Sequence, residues 1–390
     1  MIFNRERLTQ YFGYAIVIIT SVSLLACGGG SDSSSSPITA MRDSCVLIDN
    51  DYDIDDMMAI PMVIGNKYVA AIVQSEGYTL PEQSAPAIDQ LVNNIPDQPN
   101  QRKIPIIVGA KQPRVDTSPW PWLGFFRSMM NQSNALLSSV PTAWSIDNGY
   151  THKVVNSVAN CKNVSVLIIG TYTSFINYSS LIKDKIDKVV IMGQAIGDDS
   201  QTPGRESFNC QFDLAACQQA MTQLQSLNTY FVDIPRVVGG ECRNTLTPSP
   251  NCYNPSYEMV VGQNGTGGLL TSGLTGRLKQ ALTNPVDCSS KYTAGMPAIP
   301  SAPQSACTAL STWSPANVAA GPGGEMLMWD ETASIFLLHP ELFELYYPAD
   351  RSLGGKHYQP IKINGSFADT ALMLRNVWTQ DTNRAINFYQ

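Results

Sequence analysis

The segment Asp49-Asn50-Asp51-Tyr52-Asp53-Ile54-Asp55-Asp56 places five carboxylates within eight residues. Anions that close repel one another, and at the end of a buried strand only a cation or strong solvation makes them tolerable. An apolar run (CVLID) leads into the cluster and another (MMAIPMVIG) leaves it, so its setting is a buried one and the cluster reads as a metal site. A donor set made of oxygens alone selects a hard ion, calcium or magnesium. The competing reading is a solvated acidic turn, the commoner fate of an Asp-rich loop.

Two acidic patterns fit poorly. An EF-hand loop beginning at Asp49 needs glycine at its sixth position and glutamate at its twelfth, where Ile54 and Ile60 stand. A phosphatase of the haloacid type also starts with Asp-x-Asp after a strand, but its later lysine finds no clear place in the chain.

Holding such a cluster requires strands behind it. Six apolar runs read as buried strands: Cys45–Asp49, Val69–Gln74, Ile104–Gly109, Val164–Gly170, Lys188–Gly193 and Thr229–Ile234. They are continuous and β-branched, which suits a parallel sheet covered on both faces. Helical patterns such as Pro86–Asn94 and His152–Asn160 lie between them. This alternation predicts an α/β fold with a Rossmann-like, doubly wound, mostly parallel sheet. Ligands in such folds sit beyond the carboxyl ends of the strands. Residues 238–325 are rich in Gly, Pro, Ser, Thr and Cys and read as a loop-rich elaboration.

The first residues read as an export signal. Arg5 and Arg7 precede the apolar run Ala15–Ala26, which is too short for a confident membrane span. The run ends in Leu24-Leu25-Ala26-Cys27, which resembles a bacterial lipoprotein signal. The resemblance implies removal of residues 1–26, lipidation of Cys27, and a flexible Gly/Ser tether over 27–42 that carries a domain over 43–390. Gly28, rather than Asp, after the cysteine implies the outer membrane, facing the periplasm or the cell surface. An ordinary signal peptide or a membrane anchor are the alternatives. Beyond Cys27 there are cysteines at 45, 161, 210, 217, 242, 252, 288 and 307, an even number that suggests disulfides in an exported protein. Sequence-local pairing would join 210–217, 242–252 and 288–307 and leave 45–161, though some could stay free thiols. No CxxC spacing occurs, so zinc is disfavoured. The net charge of −7, with no long basic run, makes nucleic acid and anionic surfaces poor partners.

The pattern Asp-x-Asp-x-x-x-Asp-Asp resembles the calcium motif of the nucleoside hydrolases. Further stretches resemble that family in order. They are Ile168–Ser174 (IIGTYTS), Ile191–Gly193 (IMG), Phe208-Asn209 with Asp213 and Ala215-Ala216, and Trp329-Asp330 followed by His339-Pro340-Glu341-Leu342-Phe343. The resemblance implies a calcium ion held by Asp51, Asp56, Asp330 and the Thr173 carbonyl. It makes Asp51 the general base toward water. It gives Asp55 and Asn209 to the ribose hydroxyls, with Glu206 near the expected ribose-binding glutamate but one residue out of register. Asp49 reads as structural, and Asp53 is a departure without an assigned role. Tyr52-Asp53 stands where the family has Pro-Gly, Gly77-Tyr78 where it has Gly-Asn, and Ser207 where it has the ribose-binding Glu.

Many relatives carry His before the last ligand, where this chain has Trp329. The chain has three histidines, at 152, 339 and 357. By position His152 reads as a helix-surface residue and His339 as part of the tail of a helix, so neither supplies that acid. Trp329 resembles the purine-preferring branch, in which indoles stack on the base, and Trp120 or Trp122 would be a second such indole. Each Trp could equally be packing. The expectation is hydrolysis of purine nucleosides to free base and ribose. A non-catalytic nucleoside- or ribose-binding lipoprotein and a hydrolase of a related ribosyl compound remain alternatives. Family members are often oligomers, so a homo-oligomer is a further expectation of the resemblance.

Overall fold

The apolar runs fold as strands of one sheet: β1 (Arg42–Asn50), β2 (Val69–Gln74), β3 (Ile106–Val108), β4 (Cys161–Ile168), β5 (Ile186–Met192) and β6 (Thr229–Val232). Two more, β7 (Phe343–Tyr347) and β8 (Lys356–Pro360), complete the order β3-β2-β1-β4-β5-β6-β8-β7. The computed structural model describes residues 41–98, 100–111, 123, 127, 142–193, 208–232, 268–283, 329–347, 356–365 and 367–387. All pairings are parallel except β7 with β8. Cys27, Trp120, Trp122, Glu206, Ser207, cysteines 242, 252, 288 and 307, and most of 238–325 lie outside the described residues.

The helices whose bounds fall among the described residues are α1 (Ile54–Asn66), α2 (Pro81–Asn93), α3 (Tyr150–Ser157), α4 (Phe175–Tyr178), α5 (Phe208–Gln211), α6 (Leu214–Leu224), α7 (Gly273–Thr283), α8 (Trp329–Leu338) and α9 (Phe367–Asn383). One face of the sheet is covered by α1, α2, α7, α8 and α9, the other by α3, α4 and α6. Both strand faces are therefore dry, which is why β1, β2 and β4 read as unbroken apolar runs. Helix α1 is buried from Ile54 through Ile64, apolar nearly all round because α8 and α9 pack on it as well as the sheet. The indole of Trp378 on α9 donates to the Met58 carbonyl of α1 across 3.2 Å. Among the described residues no helix is long and apolar enough to cross a membrane.

Strands radiate in opposite directions from β1 and β4, so the chain reverses its winding between them. That is the switch point at which an open α/β sheet leaves a crevice. The disulfide Cys45–Cys161 bridges these two strands near their amino ends, and Cys210–Cys217 joins α5 to α6. Both match the expected pairings.

Several boundaries differ from the sequence reading. Strand β3 is three residues rather than the six of Ile104–Gly109. Helix α2 starts at Pro81, five residues before Pro86, because proline is tolerated at the first helical position. Strands β7 and β8 have no counterpart in the sequence reading.

Candidate active site

The acidic segment runs off the carboxyl end of β1 at the switch point and into α1. Its backbone turns at Tyr52, which is buried at φ 56°, in the left-handed region that costs a non-glycine side chain energy. Asp53 then caps α1. Its Oδ1 accepts from the backbone N–H groups of Asp55 (3.0 Å) and Asp56 (3.4 Å), and Oδ2 of Asp56 accepts from the Asp53 N–H at 2.9 Å. This reciprocal capping box satisfies helix-start donors, and the helix dipole favours the anions gathered there. The residue without an assigned role in the sequence thus starts the helix.

Oxygens of Asp53, Asp55, Asp56 and Asp330 lie within 4.8 Å of one another, all buried. A cation with oxygen bonds of ~2.4 Å spans such a set. The Oδ1 atoms of Asp55, Asp56 and Asp330 have no hydrogen-bond partner. Leaving buried carboxylate oxygens unpaired is costly, and a hard cation among them removes the cost, so these residues fit a metal. Asp330 arrives from the first turn of α8, which packs on α1.

Asp51 stands beside this group, its carboxyl in contact with that of Asp56. Oδ2 of Asp51 accepts from the Tyr78 N–H at 2.8 Å. The approach of the β2 loop needs a glycine, since a Cβ on Gly77 would lie 2.0 Å from Asp51 Oδ2. A Cβ on Gly170 would likewise meet the Asn50–Asp51 backbone at 2.5 Å. Arg127 donates to the Gly77 carbonyl (2.8 Å) and pairs with Glu76 (3.3 Å), fixing this loop from outside.

Burial pushes the carboxyl groups of Asp49, Asp51 and Asp55 up to about 7 from 3.8. Burial, reinforced by neighbouring carboxylates, holds Asp56 and Asp330 well above the ordinary range. Glu331 behaves likewise through burial and the charge of Asp55. Sequence reading stopped at Asp330 and missed Glu331. It is fully buried, neither carboxylate oxygen has a partner, and its adjacency to a ligand-type Asp on an apolar helix was the available signal.

Asp49 faces away from the group. It accepts from Ser75 Oγ (2.6 Å) and the Tyr178 hydroxyl (3.0 Å), a structural tie between β1, β2 and α4. The Thr173 carbonyl accepts from Asn177 Nδ2 at 2.9 Å, and its hydroxyl donates to Asp213 (3.0 Å), which caps α6 through the Ala216 N–H. The buried Asn209 side chain donates to the Ile169 carbonyl at 3.2 Å, placing it over the end of β4. Trp329 is half-buried and packs on the core beside α1, so part of its role is packing. His152 is exposed on α3. His339 lies one residue beyond α8 and pairs with Asp381 at 2.6 Å. His357 is buried on β8, stacked on Phe231.

A doubly wound sheet thus carries at its switch point a buried cluster of carboxylates suited to a cation. Residues 46–368 match the family described as inosine-uridine preferring nucleoside hydrolase. The chain belongs to that family of hydrolases, which act on the N-glycosidic bonds of nucleosides. Among solved structures the fold is similar to a purine-preferring ribonucleoside hydrolase from Gardnerella vaginalis, at 14% identity and TM-score 0.47, covering 88% of this chain and 99% of that one. It is also similar to an inosine-uridine preferring nucleoside hydrolase from Bacillus anthracis, at 12% identity and TM-score 0.49, covering 86% and 99%. No curated protein sequence matches the chain.

Proposed function

We propose that the chain is a calcium-dependent nucleoside hydrolase with a preference for purine ribonucleosides, exported and held at a membrane by a lipid on Cys27. The observation that carries the metal is the trio of unpartnered buried oxygens on Asp55, Asp56 and Asp330. Asp51, Asp56, Asp330 and the Thr173 carbonyl would hold the ion, with oxygens of Asp53 and Asp55 within 4.8 Å of those of Asp56 and Asp330. Bound there, calcium supplies positive charge that offsets the carboxylates and acidifies a nearby water.

The chain's own groups supply the rest. Asp51 accepts the proton of the attacking water, its orientation set by the Tyr78 N–H. Asp55 accepts from a ribose hydroxyl, and Asn209 holds the sugar's other end. Positive charge that develops on the ribose ring is stabilised by the carboxylates beneath it. The leaving base stacks on Trp329, with Trp120 or Trp122 the candidate for its other face, and takes its proton from solvent water. Stacking contributes about 0.5–1.5 kcal/mol per aromatic pair, enough to bias base choice.

The test is release of free base from inosine, adenosine, guanosine and uridine by the purified protein, with calcium and with a chelator. Purine release that stops on chelation and returns with calcium supports the reading. Tight nucleoside binding with no base release would make the chain a binding protein. Release unaffected by chelation would remove the metal from the mechanism. Mass analysis of the membrane-extracted chain tests the lipid on Cys27.

A further inference from the structure

The amino ends of the strands, opposite the carboxylate pocket, gather cations. Arg42 opens β1, Lys67 precedes β2, Arg102 precedes β3, Lys162 lies at the start of β4, and Lys183 and Lys188 flank the start of β5. The guanidinium groups of Arg42 and Arg102 both lie over the Tyr68 ring, 3.7 and 4.1 Å from its centroid. Burial lowers the pKa of Lys188, and the charge of Lys67 lowers it further, so like charges crowd here.

Some cations at this edge serve the fold. Lys185 donates to the carbonyls of Val158, Ala159 and Cys161, and Lys103 to that of Asn93, at the negative ends of α3 and α2. Lys67, Lys162 and Lys183 do not. All three are exposed, and no described residue forms an ion pair with any of them. The carboxylates among them include Asp43, Asp97, Asp184 and Asp187. A chain whose net charge of −7, taken as a whole, disfavours anionic surfaces thus carries its buried anions at one end of the strands and a local basic edge at the other.

We propose that this basic edge docks on anionic phospholipid headgroups, which turns the carboxylate pocket away from the membrane. The proposal rests on the reading that Cys27 is lipidated. The chain enters β1 at this same edge, beside Arg42. Cys27 stands 14 positions before Met41 in the sequence, so a lipid there would keep this edge at high local concentration near a bilayer. Cations near an anionic surface each add about 1 kcal/mol, or about fivefold in partitioning. That anchor favours lipid over nucleic acid as the occupant.

The test uses the full chain, extracted from membranes and reconstituted into vesicles of phosphatidylcholine with or without phosphatidylglycerol. Exposed amines are acetylated with a membrane-impermeant reagent and read by mass spectrometry. Lys67, Lys162 and Lys183 should be protected at least threefold in phosphatidylglycerol vesicles at low salt, and not at 1 M salt or in phosphatidylcholine alone. Lys153 on α3, paired with Asp147 just before that helix, should label equally throughout. Equal labelling of the three lysines in both vesicle types overturns the proposal.

A chain that does not partition into vesicles refutes the lipid anchor instead. Cosedimentation with phosphatidylglycerol vesicles then decides the surface. Salt-sensitive capture, reduced about fivefold by each of Lys67→Gln, Lys162→Gln and Lys183→Gln, supports docking. No capture overturns it. Retention of duplex DNA as tight as that of vesicles overturns the lipid assignment.

Discussion

The Tyr78 backbone N–H donates to Oδ2 of Asp51 across 2.8 Å, with Gly77 pressed against the same carboxylate. This one contact ties the loop after β2 to the acid at the end of β1. It makes the loop's backbone, rather than the Tyr78 side chain, responsible for how Asp51 is aimed. Gly77→Ala places a methyl group 2.0 Å from Oδ2 and forces the carboxylate aside. We expect a loss of about 100-fold in kcat/KM, the scale of an ångström-sized misplacement. Tyr78→Phe keeps the N–H and should leave Asp51 in place. Steady-state kinetics on inosine, with circular dichroism to check folding, measure both. Wild-type turnover in Gly77→Ala would mean that Asp51 is not the base.

Asp53 caps α1 and also lies among the carboxylates proposed to hold the ion, and substitution can separate the two. Asp53→Ser keeps a capping oxygen and removes a carboxylate, whereas Asp53→Ala removes both. In chelator the Ala variant should be less stable than wild type by about 1 kcal/mol, the usual value of a cap, and the Ser variant nearly unchanged. Both should bind calcium more weakly by isothermal titration. Equal calcium affinity in all three proteins would leave Asp53 a cap only.

Stability of the metal-free protein should fall as pH rises. The folded-state pKa values of Asp49, Asp51 and Asp55, about 7, exceed the unfolded value of 3.8, and Asp56, Asp330 and Glu331 are raised as well. Native protein therefore holds more protons than unfolded chain between roughly pH 4 and 7, and the slope of stability with pH is negative there. Stability from these groups is full below the unfolded pKa and is lost as pH passes the folded one. On the proposed reading calcium would replace the protons, so its stabilising effect should be larger at pH 8 than at pH 5. Thermal melts with and without chelator measure this, at roughly 2 °C per kcal/mol in a domain of this size. A chelated protein that melts higher at pH 8 than at pH 5 would contradict the burial of these acids.

Trp329→Ala should lower kcat/KM for purine nucleosides by roughly twofold to tenfold, the range that stacking energies allow, and change uridine less. Because Trp329 also packs on the core beside α1, the melting temperature of the variant has to be compared as well. An unchanged purine-to-uridine ratio would assign the indole to packing alone.

The central strands were legible because dryness on both faces leaves an unbroken apolar run. The acid cluster was legible because five carboxylates in eight residues, set between two apolar runs, call for a cation. Strand β8, Lys-His-Tyr-Gln-Pro, was not. It lies toward the edge of the sheet, its ladder to β6 spans three pairs, and its sequence is polar and ends in proline. Asp53 could not be assigned from sequence, since a capping Asp and a metal-ligating Asp have the same letter and the same local spacing. Only the hydrogen bonds to Asp55 and Asp56 separate the roles. Glu331 was hidden for a different reason. An acid inside an apolar helix reads as a surface residue until α1 is seen covering it.

The Cys45–Cys161 bond fastens β1 to β4 at the end of the sheet away from the crevice. From Cys45 to Asp51 the strand runs about 20 Å. The β1–β4 ladder runs on from the disulfide to Asp49 and Ile168, so a covalent tie at one end and backbone pairing at the pocket end hold the same two strands in register.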